Sequence, residues 1–141
     1  MSLTEKQIFY NNNNDLVELK KILDLSPNGM KTFRYFKTRE FDVLKNHLCT
    51  FLYEKNGEYI GYGHLDFEDN HVWLGVFIID KCVGQKIGDK IIKHLINNYG
   101  GDILLTVDKT NLPALILYLK NGFTILDMND IHYKMILKKL E

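Results

Sequence analysis

The spacing of apolar residues changes along the chain, and each change marks an element. Leu16, Leu19, Ile22 and Leu23 recur at helical spacing behind the Asn11–Asn14 run. Asn is a strong N-cap, so a short strand over Gln7–Tyr10 should lead into a helix there. Ser26-Pro27-Asn28-Gly29 breaks that helix. Phe41, Leu44, Lys45 and Leu48 are in step and predict a second helix over Thr38–Leu48, with Arg34, Tyr35 and Phe36 in the connection before it. The period then shortens. Thr50–Glu54 and Tyr59–Phe67 read as strands joined by the Asn56-Gly57 hairpin signal. After a turn at Glu68-Asp69-Asn70, the near-continuous apolar run His71–Ile79 predicts a central strand buried on both faces. Ile87, Ile91, Ile92, Leu95, Ile96 and Tyr99 form a helical stripe that Gly100-Gly101 stops. Ile103–Val107 is a strand. Asn111–Leu119 is a helix with Pro113 in its first turn, closed by Asn121-Gly122. Phe123–Leu126 and His132–Leu137 are the closing strands. The expected class is α+β, with a mixed, mostly antiparallel sheet of about seven strands flanked by about four helices.

Length and charge narrow this picture. The 141 residues suit one domain, spanning 1–141. Eighteen basic residues balance eighteen acidic ones, which argues against a general electrostatic hold on nucleic acid or an anionic membrane. No apolar run approaches the ~18–20 residues of a membrane span, and Met1–Tyr10 lacks a signal peptide's apolar core. A cytoplasmic location is expected. Cys49 and Cys82 are isolated, with no Cys/His spacing typical of zinc, so no metal and two free thiols are expected.

Two groups of residues carry candidate chemistry. The first is the strand–loop–helix segment from Val72 to Tyr99. Backbone N–H groups converging at a helix N-terminus attract phosphate. Lys81, Lys86, Lys90 and Lys93 outnumber Asp80 and Asp89 there. The spacing is neither GxxxxGK[ST] nor GxGxxG, and on local evidence alone Gly84 and Gly88 could as well only turn the chain. The second group is His64 and Asp66, two apart on one strand and therefore on one side, shared with Tyr62 and Glu68. They form either a solvent-facing polar edge or a site that takes an amine proton or grips an acceptor. Asn46 and His47, on the second predicted helix, adjoin that side, as do Arg34, Tyr35 and Trp73. His71, His94 and His132 read as turn or surface residues, and nothing near Cys82 would activate its thiol.

The motifs carry a resemblance. Val83-Gly84-Gln85-Lys86-Ile87-Gly88 is similar to the [QR]-x-x-G-x-[GA] pyrophosphate loop of the GNAT N-acetyltransferases. Val83 stands where that pattern has Arg or Gln, and Lys86 where it has its first glycine. Leu74–Ile79 is similar to the family's fourth strand and Gly61-Tyr62-Gly63-His64 to its third. Val107 followed by Asn111-Leu112-Pro113-Ala114-Leu115-Ile116-Leu117-Tyr118-Leu119-Lys120-Asn121-Gly122-Phe123 resembles V…N-x-x-A-x-x-[LF]-Y-x-K-x-G-F. The family often places a Glu on the fourth strand, where this chain has Trp73 and Gly75.

The resemblance implies a GNAT-like fold with acyl-CoA lying in a gap between the fourth and fifth strands. The backbone of Phe77, Ile78 and Ile79 would pair with the pantetheine arm. The N–H groups of Val83, Gly84, Gln85, Lys86, Ile87, Gly88 and Asp89 would hold the pyrophosphate. Asn111 would touch the cofactor, and Tyr118 would stand at the sulfur and protonate the leaving thiolate. His64 and Asp66 remain the candidates for the amine proton. The implied activity is acetyl-CoA-dependent N-acetylation of a primary amine of a small molecule, with an amino sugar favoured by the Tyr, Trp, His and Asn on the acceptor side. A homodimer fits the resemblance. A non-catalytic CoA-binding or regulatory module and a protein or peptide N-acetyltransferase stay open as alternatives.

Overall fold

A computed structural model of the chain describes residues 3–26, 35–37, 39–82 and 86–139. Seven strands form one sheet in the order β1-β2-β3-β4-β5-β7-β6. They are β1 (Thr4–Gln7), β2 (His47–Lys55), β3 (Glu58–Glu68), β4 (His71–Ile78), β5 (Ile103–Asp108), β6 (Thr124–Met128) and β7 (His132–Leu137). All neighbours pair antiparallel except β4 and β5. The α-helices of the described residues are α1 (Asn13–Asp24), α2 (Ile87–Ile96) and α3 (Leu112–Lys120), with 3-10 turns at Tyr35–Lys37, Phe41–Asn46 and Asp80–Cys82. No helix of the described residues is long and apolar enough to cross a membrane.

Local chemistry explains most boundaries. Asn12 caps α1, its side-chain oxygen accepting the Asp15 N–H at 3.1 Å. Asn56 and Gly57 both take positive φ, at 56° and 79°, as the tight hairpin between β2 and β3 requires. Two expectations need correction. The first strand is Thr4–Gln7 rather than Gln7–Tyr10. The helix expected over Thr38–Leu48 is only the 3-10 segment Phe41–Asn46, after which β2 begins at His47. Apolar residues three apart suit a 3-10 turn as well as an α-helix, and β2, rich in the strand-favouring Thr50, Phe51 and Tyr53, pairs with β3 from His47↔Asp66 onward. Of the other expected features, the Pro27-Asn28-Gly29 break, Arg34 and Thr38 lie outside the described residues.

The two faces of β3 differ in kind. Gly61, Gly63 and Leu65 lie under α2, and a Cβ on Gly61 or Gly63 would come within 2.7 Å of Ile91 or 2.8 Å of Leu95. Absence of side chains lets the helix settle on the strand, with Ile91, Leu95 and Leu65 fully buried. Tyr62, His64 and Asp66 project to the other side, where the 3-10 turns pack. β4 is central but not buried on both faces as expected. Val72, Leu74 and Phe77 are buried, while Trp73, Gly75, Val76 and Ile78 are half-exposed. The cause is the short seam with β5, which consists only of Val72↔Ile103 and Trp73↔Leu104.

Candidate active site

The margin of that seam defines a gap. The Ile79 N–H donates to the Ile60 carbonyl at 3.0 Å, and the β3–β4 register is unshifted from Gly61↔Ile78 to Glu68↔His71. Antiparallel pairs alternate between hydrogen-bonded and non-bonded. The backbones of Phe77, Gly75 and Trp73 therefore turn toward β3, and those of Ile78, Val76 and Leu74 toward β5. Beyond Trp73↔Leu104 the recorded β4–β5 pairing has ended. Of the expected trio Phe77, Ile78 and Ile79, only Ile78 presents its backbone to the gap. Ile79 is further occupied through its carbonyl, which accepts the Cys82 N–H at 3.0 Å. Val76 and Leu74, which sequence reasoning did not single out, share the orientation of Ile78.

At the end of β4 the chain enters α2. Val83, Gly84 and Gln85 lie outside the described residues. Lys86 is described and takes the left-handed conformation, φ 63° and ψ 11°, as N-cap of α2 with no side-chain cap bond. A glycine adopts this conformation at no steric cost, whereas a residue with a Cβ is uncommon there. Ile87 and Gly88 are buried in the first turn of α2. A Cβ on Gly88 would sit 3.0 Å from Leu117 and 3.2 Å from Ile78, so this glycine brings α2, α3 and β4 close together. Asp89 is turned away from the N-terminus. It pairs with Lys93 at 2.6 Å and accepts from the Asn121 side chain at 3.0 Å, and these partners hold its carboxyl below the ordinary value.

On α3, the Asn111 side-chain oxygen caps the helix by accepting the Ala114 N–H at 3.4 Å, which leaves its amide nitrogen for any ligand. Tyr118 is buried, its ring edge-on to Phe123 at 5.8 Å. No hydrogen bond to its hydroxyl is found among the described residues, yet no fully buried side-chain oxygen or nitrogen there lacks a partner. The hydroxyl tip therefore reaches solvent. Burial pushes this phenol up to about 12.

The polar face of β3 forms a buried network rather than a solvent-facing edge. His64 and Asp66 are 1% and 3% exposed. The Tyr35 hydroxyl lies 2.9 Å from Asp66 Oδ2, to which it donates, and 2.7 Å from His47 Nε2. His47 Nδ1 is 2.7 Å from Thr50 Oγ1, and His64 Nδ1 is 2.7 Å from the Tyr62 hydroxyl. The two imidazoles stack at 4.3 Å, and the Tyr35 ring lies 4.3 Å from His64. Arg39 covers the Tyr35 ring at 4.5 Å, donates to the Tyr35 carbonyl and reaches Glu68 at 3.6 Å.

Charge is disfavoured inside this network. Burial, then Arg39, pushes His47 down to about 4. Burial, then His47 and Arg39, holds His64 well below the ordinary imidazole value. Burial raises Asp66 despite the opposing Tyr35 hydrogen bond, and burial with the Asp66 contact raises Tyr35. At neutral pH both imidazoles are uncharged and able to accept a proton. One ligand atom from each of His47, His64 and Asp66 falls within 4.8 Å of the others. The rings are nearly parallel, 27° apart, so their in-plane lone pairs run side by side instead of converging on one ion.

Sequence reasoning put Tyr35 beside His64 and Asp66 on the acceptor side, but it did not foresee the Tyr35 hydrogen bonds to Asp66 and His47. The available signal was the polar stripe Tyr62, His64, Asp66 in an otherwise apolar strand. Buried polar groups need partners, and these had to come from elsewhere in the chain. Trp73 is half-exposed at the same site. Its indole N–H donates to the Glu68 carbonyl at 3.0 Å, and Lys134 lies 5.5 Å from its ring.

The comparisons agree with this fold. Among curated proteins, none matches the chain in sequence. Solved structures do match in fold. The GNAT-family acetyltransferase of Streptococcus pneumoniae is 18% identical, with a TM-score of 0.76 over 99% of this chain and 100% of that one. The protein yncA of Salmonella typhimurium, solved with its cofactor acetyl-CoA, is 16% identical, with a TM-score of 0.77 over 100% and 96%. The spermidine N-acetyltransferase of Vibrio cholerae, solved with CoA and spermine, is 17% identical, with a TM-score of 0.74 over 97% and 95%. The sequence model of the acetyltransferase (GNAT) family matches residues 14–123, and the chain belongs to that family of acetyltransferases.

Proposed function

We propose that the protein transfers the acetyl group of acetyl-CoA to a primary amine of a small molecule, by direct attack within a ternary complex in the cytoplasm. The observation that carries this reading is the open margin of β4. Its outward backbone groups lie beside a buried, uncharged imidazole, so a thioester lying along them would have both an oxyanion donor and a proton acceptor at hand. The donor is the N–H of Val76 or Ile78. The pyrophosphate would rest on the N–H groups from Lys86 to Asp89, where the helix N-terminus favours negative charge.

Chemistry apportions the remaining roles. An amine gains positive charge as it attacks the carbonyl, and its proton then becomes acidic enough for a neutral imidazole. His64 accepts it, and the nearby Asp66 carboxylate stabilises the imidazolium. Tyr118 acts at the sulfur. A phenol near 12 is a weaker acid than a thiol of about 8.5, so full proton transfer would run uphill. Tyr118 instead donates a hydrogen bond to the developing thiolate, which is how the expected protonating role is refined.

The acceptor side disfavours a polyamine. Its exposed acid, Glu68, is engaged by Arg39, and Asp66 is engaged by Tyr35. The half-exposed Trp73 offers a stacking surface to a hydroxyl-rich amine such as an amino sugar.

Two measurements test this reading. Acetyl-CoA at saturating concentration should raise the melting temperature, and thiol release should appear with glucosamine ahead of spermidine, glycine or a peptide N-terminus. No stabilisation by acetyl-CoA would sink the donor assignment. Stabilisation without turnover of any of these amines would point to the non-catalytic alternative.

A further inference from the structure

His64 lies over β4 only because of what that strand lacks beside it. In the β3–β4 ladder His64 is directly opposite Gly75. A Cβ built on Gly75 would sit 2.4 Å from His64 Cε1, 2.7 Å from Nε2 and 3.0 Å from Nδ1. The Cε1–Nε2 edge of the imidazole thus lies over the Gly75 backbone, in the space that any other residue's side chain would fill. The ring cannot yield cheaply. His47 stacks on it, Tyr35 lies 4.3 Å away, and Tyr62 holds Nδ1 at 2.7 Å. Gly75 is also the second residue beyond the last β4–β5 pair, Trp73↔Leu104, so the uncovered stretch borders the gap itself.

We propose that Gly75 is a positioning residue: its missing side chain lets the imidazole of His64 lie across β4, so that the proton acceptor of the reaction is delivered from β3 over the strand that lines the gap. This rests on the acetyl-transfer reading above. The tautomer that the reaction requires has Nδ1–H donating to the Tyr62 oxygen, so that Nε2, over Gly75, takes the proton. The amine nitrogen bonds to the acetyl carbon, and its proton passes to Nε2. The carbon–sulfur bond then breaks, and CoA leaves as a thiolate hydrogen-bonded by Tyr118. The imidazolium returns its proton to solvent or to that thiolate, which restores neutral His64.

A double-mutant cycle tests the proposal. Turnover of glucosamine, or of whichever panel amine reacts fastest, is measured for wild type, His64→Ala, Gly75→Ala and the double variant. His64→Ala should lower kcat by roughly 10²-fold, the scale of a lost general base. Gly75→Ala should cause a loss of similar order with the KM for acetyl-CoA unchanged, because the methyl group displaces the ring. In the double variant the clash is gone, so Gly75→Ala should cost nothing beyond His64→Ala. Melting temperatures should repeat the pattern, with Gly75→Ala destabilising only when His64 is present. That readout keeps the test valid if the single variant folds poorly. The 15N signals of the His64 ring should also move in Gly75→Ala.

Gly75→Ala at wild-type activity with unmoved His64 signals would overturn the proposal, as would losses that simply multiply. The underlying reading fails differently. If acetyl-CoA does not stabilise wild type or no amine turns over, the acetyl-transfer assignment falls whatever the stability cycle shows.

Discussion

One strand, β3, serves two opposite purposes on its two faces. Toward α2 it offers glycine and leucine, and contact there is close and apolar. Toward the 3-10 turns it offers Asp66, bonded to Tyr35, and the bonded pair Tyr62 and His64, whose imidazole stacks on His47. Both faces are buried, so burial alone does not separate scaffold from chemistry. What separates them is how each residue type is stabilised. The apolar face gains from area removed from water. The polar face gains little net energy from its hydrogen bonds and would be costly if any partner were lost. The proposed chemistry draws on the buried polar network beside the open strand margin, whereas the glycine stripe under a helix serves packing.

The contrast can be broken from either side. Leu95→Ala should be the most destabilising change, by about 2–5 kcal/mol as for other buried leucines. Denaturant unfolding would show it, and kcat of the protein that remains folded should stay near wild type. His64→Ala should reverse the pattern, with kcat down roughly 10²-fold and a smaller stability loss. Equal effects of the two variants on stability and kcat would erase the distinction between the faces.

A third change acts through protons. His47 is pushed down to about 4 and His64 well below its ordinary value, whereas in the unfolded chain both titrate near 6.5. Between these values the unfolded state binds the extra protons. Stability should therefore be complete above pH ~6.5 and fall as pH drops toward 4, by about 1.4 kcal/mol per pH unit for each such histidine. The raised carboxyl of Asp66 works in the opposite sense, since the folded state holds its proton to higher pH. His47→Gln should flatten the slope measured by thermal unfolding between pH 7 and 4.5, and an unchanged slope would remove His47 from the network. The smallest effect is expected at the surface of α2. Losing the exposed Lys93–Asp89 pair in Lys93→Ala should cost under about 1 kcal/mol and leave kcat unaltered.

Much of this architecture was legible from periodicity and turn chemistry. The Asn56-Gly57 hairpin, the α2 stripe and the strand at His132–Leu137 all appear where their patterns put them. The helix over Thr38–Leu48 was misread because Phe41 and Leu44, three apart, suit either helical period, and nothing local reveals that His47 will pair with Asp66 on β3. The site was only half legible for a related reason. His64 and Asp66 stand out as polar residues in an apolar strand, but Tyr35 meets Asp66 across 31 positions. That contact is a product of folding and has no local spacing to betray it. Gly75 carried a signal that a single sequence shows only in outline. A glycine within an apolar run marks a close approach, but what approaches is known only once β3 lies beside it. Lys86 is the reverse case. Its place in the loop pattern pointed to a glycine-like backbone, and the left-handed conformation is there despite the side chain.

The two-pair seam between β4 and β5 has a mechanical consequence. Backbone bonding ties the sheet together as two plates, β1 to β4 and β5 to β7, that meet along a joint shorter than any of their strands. The helix α2 is seated on β3 and β4 and touches α3. A molecule that wedges into the margin and bonds to Val76 and Ile78 would act as a splint across the two plates. Amide hydrogen exchange along the outward positions of β4 would read the stiffness of that joint directly, residue by residue.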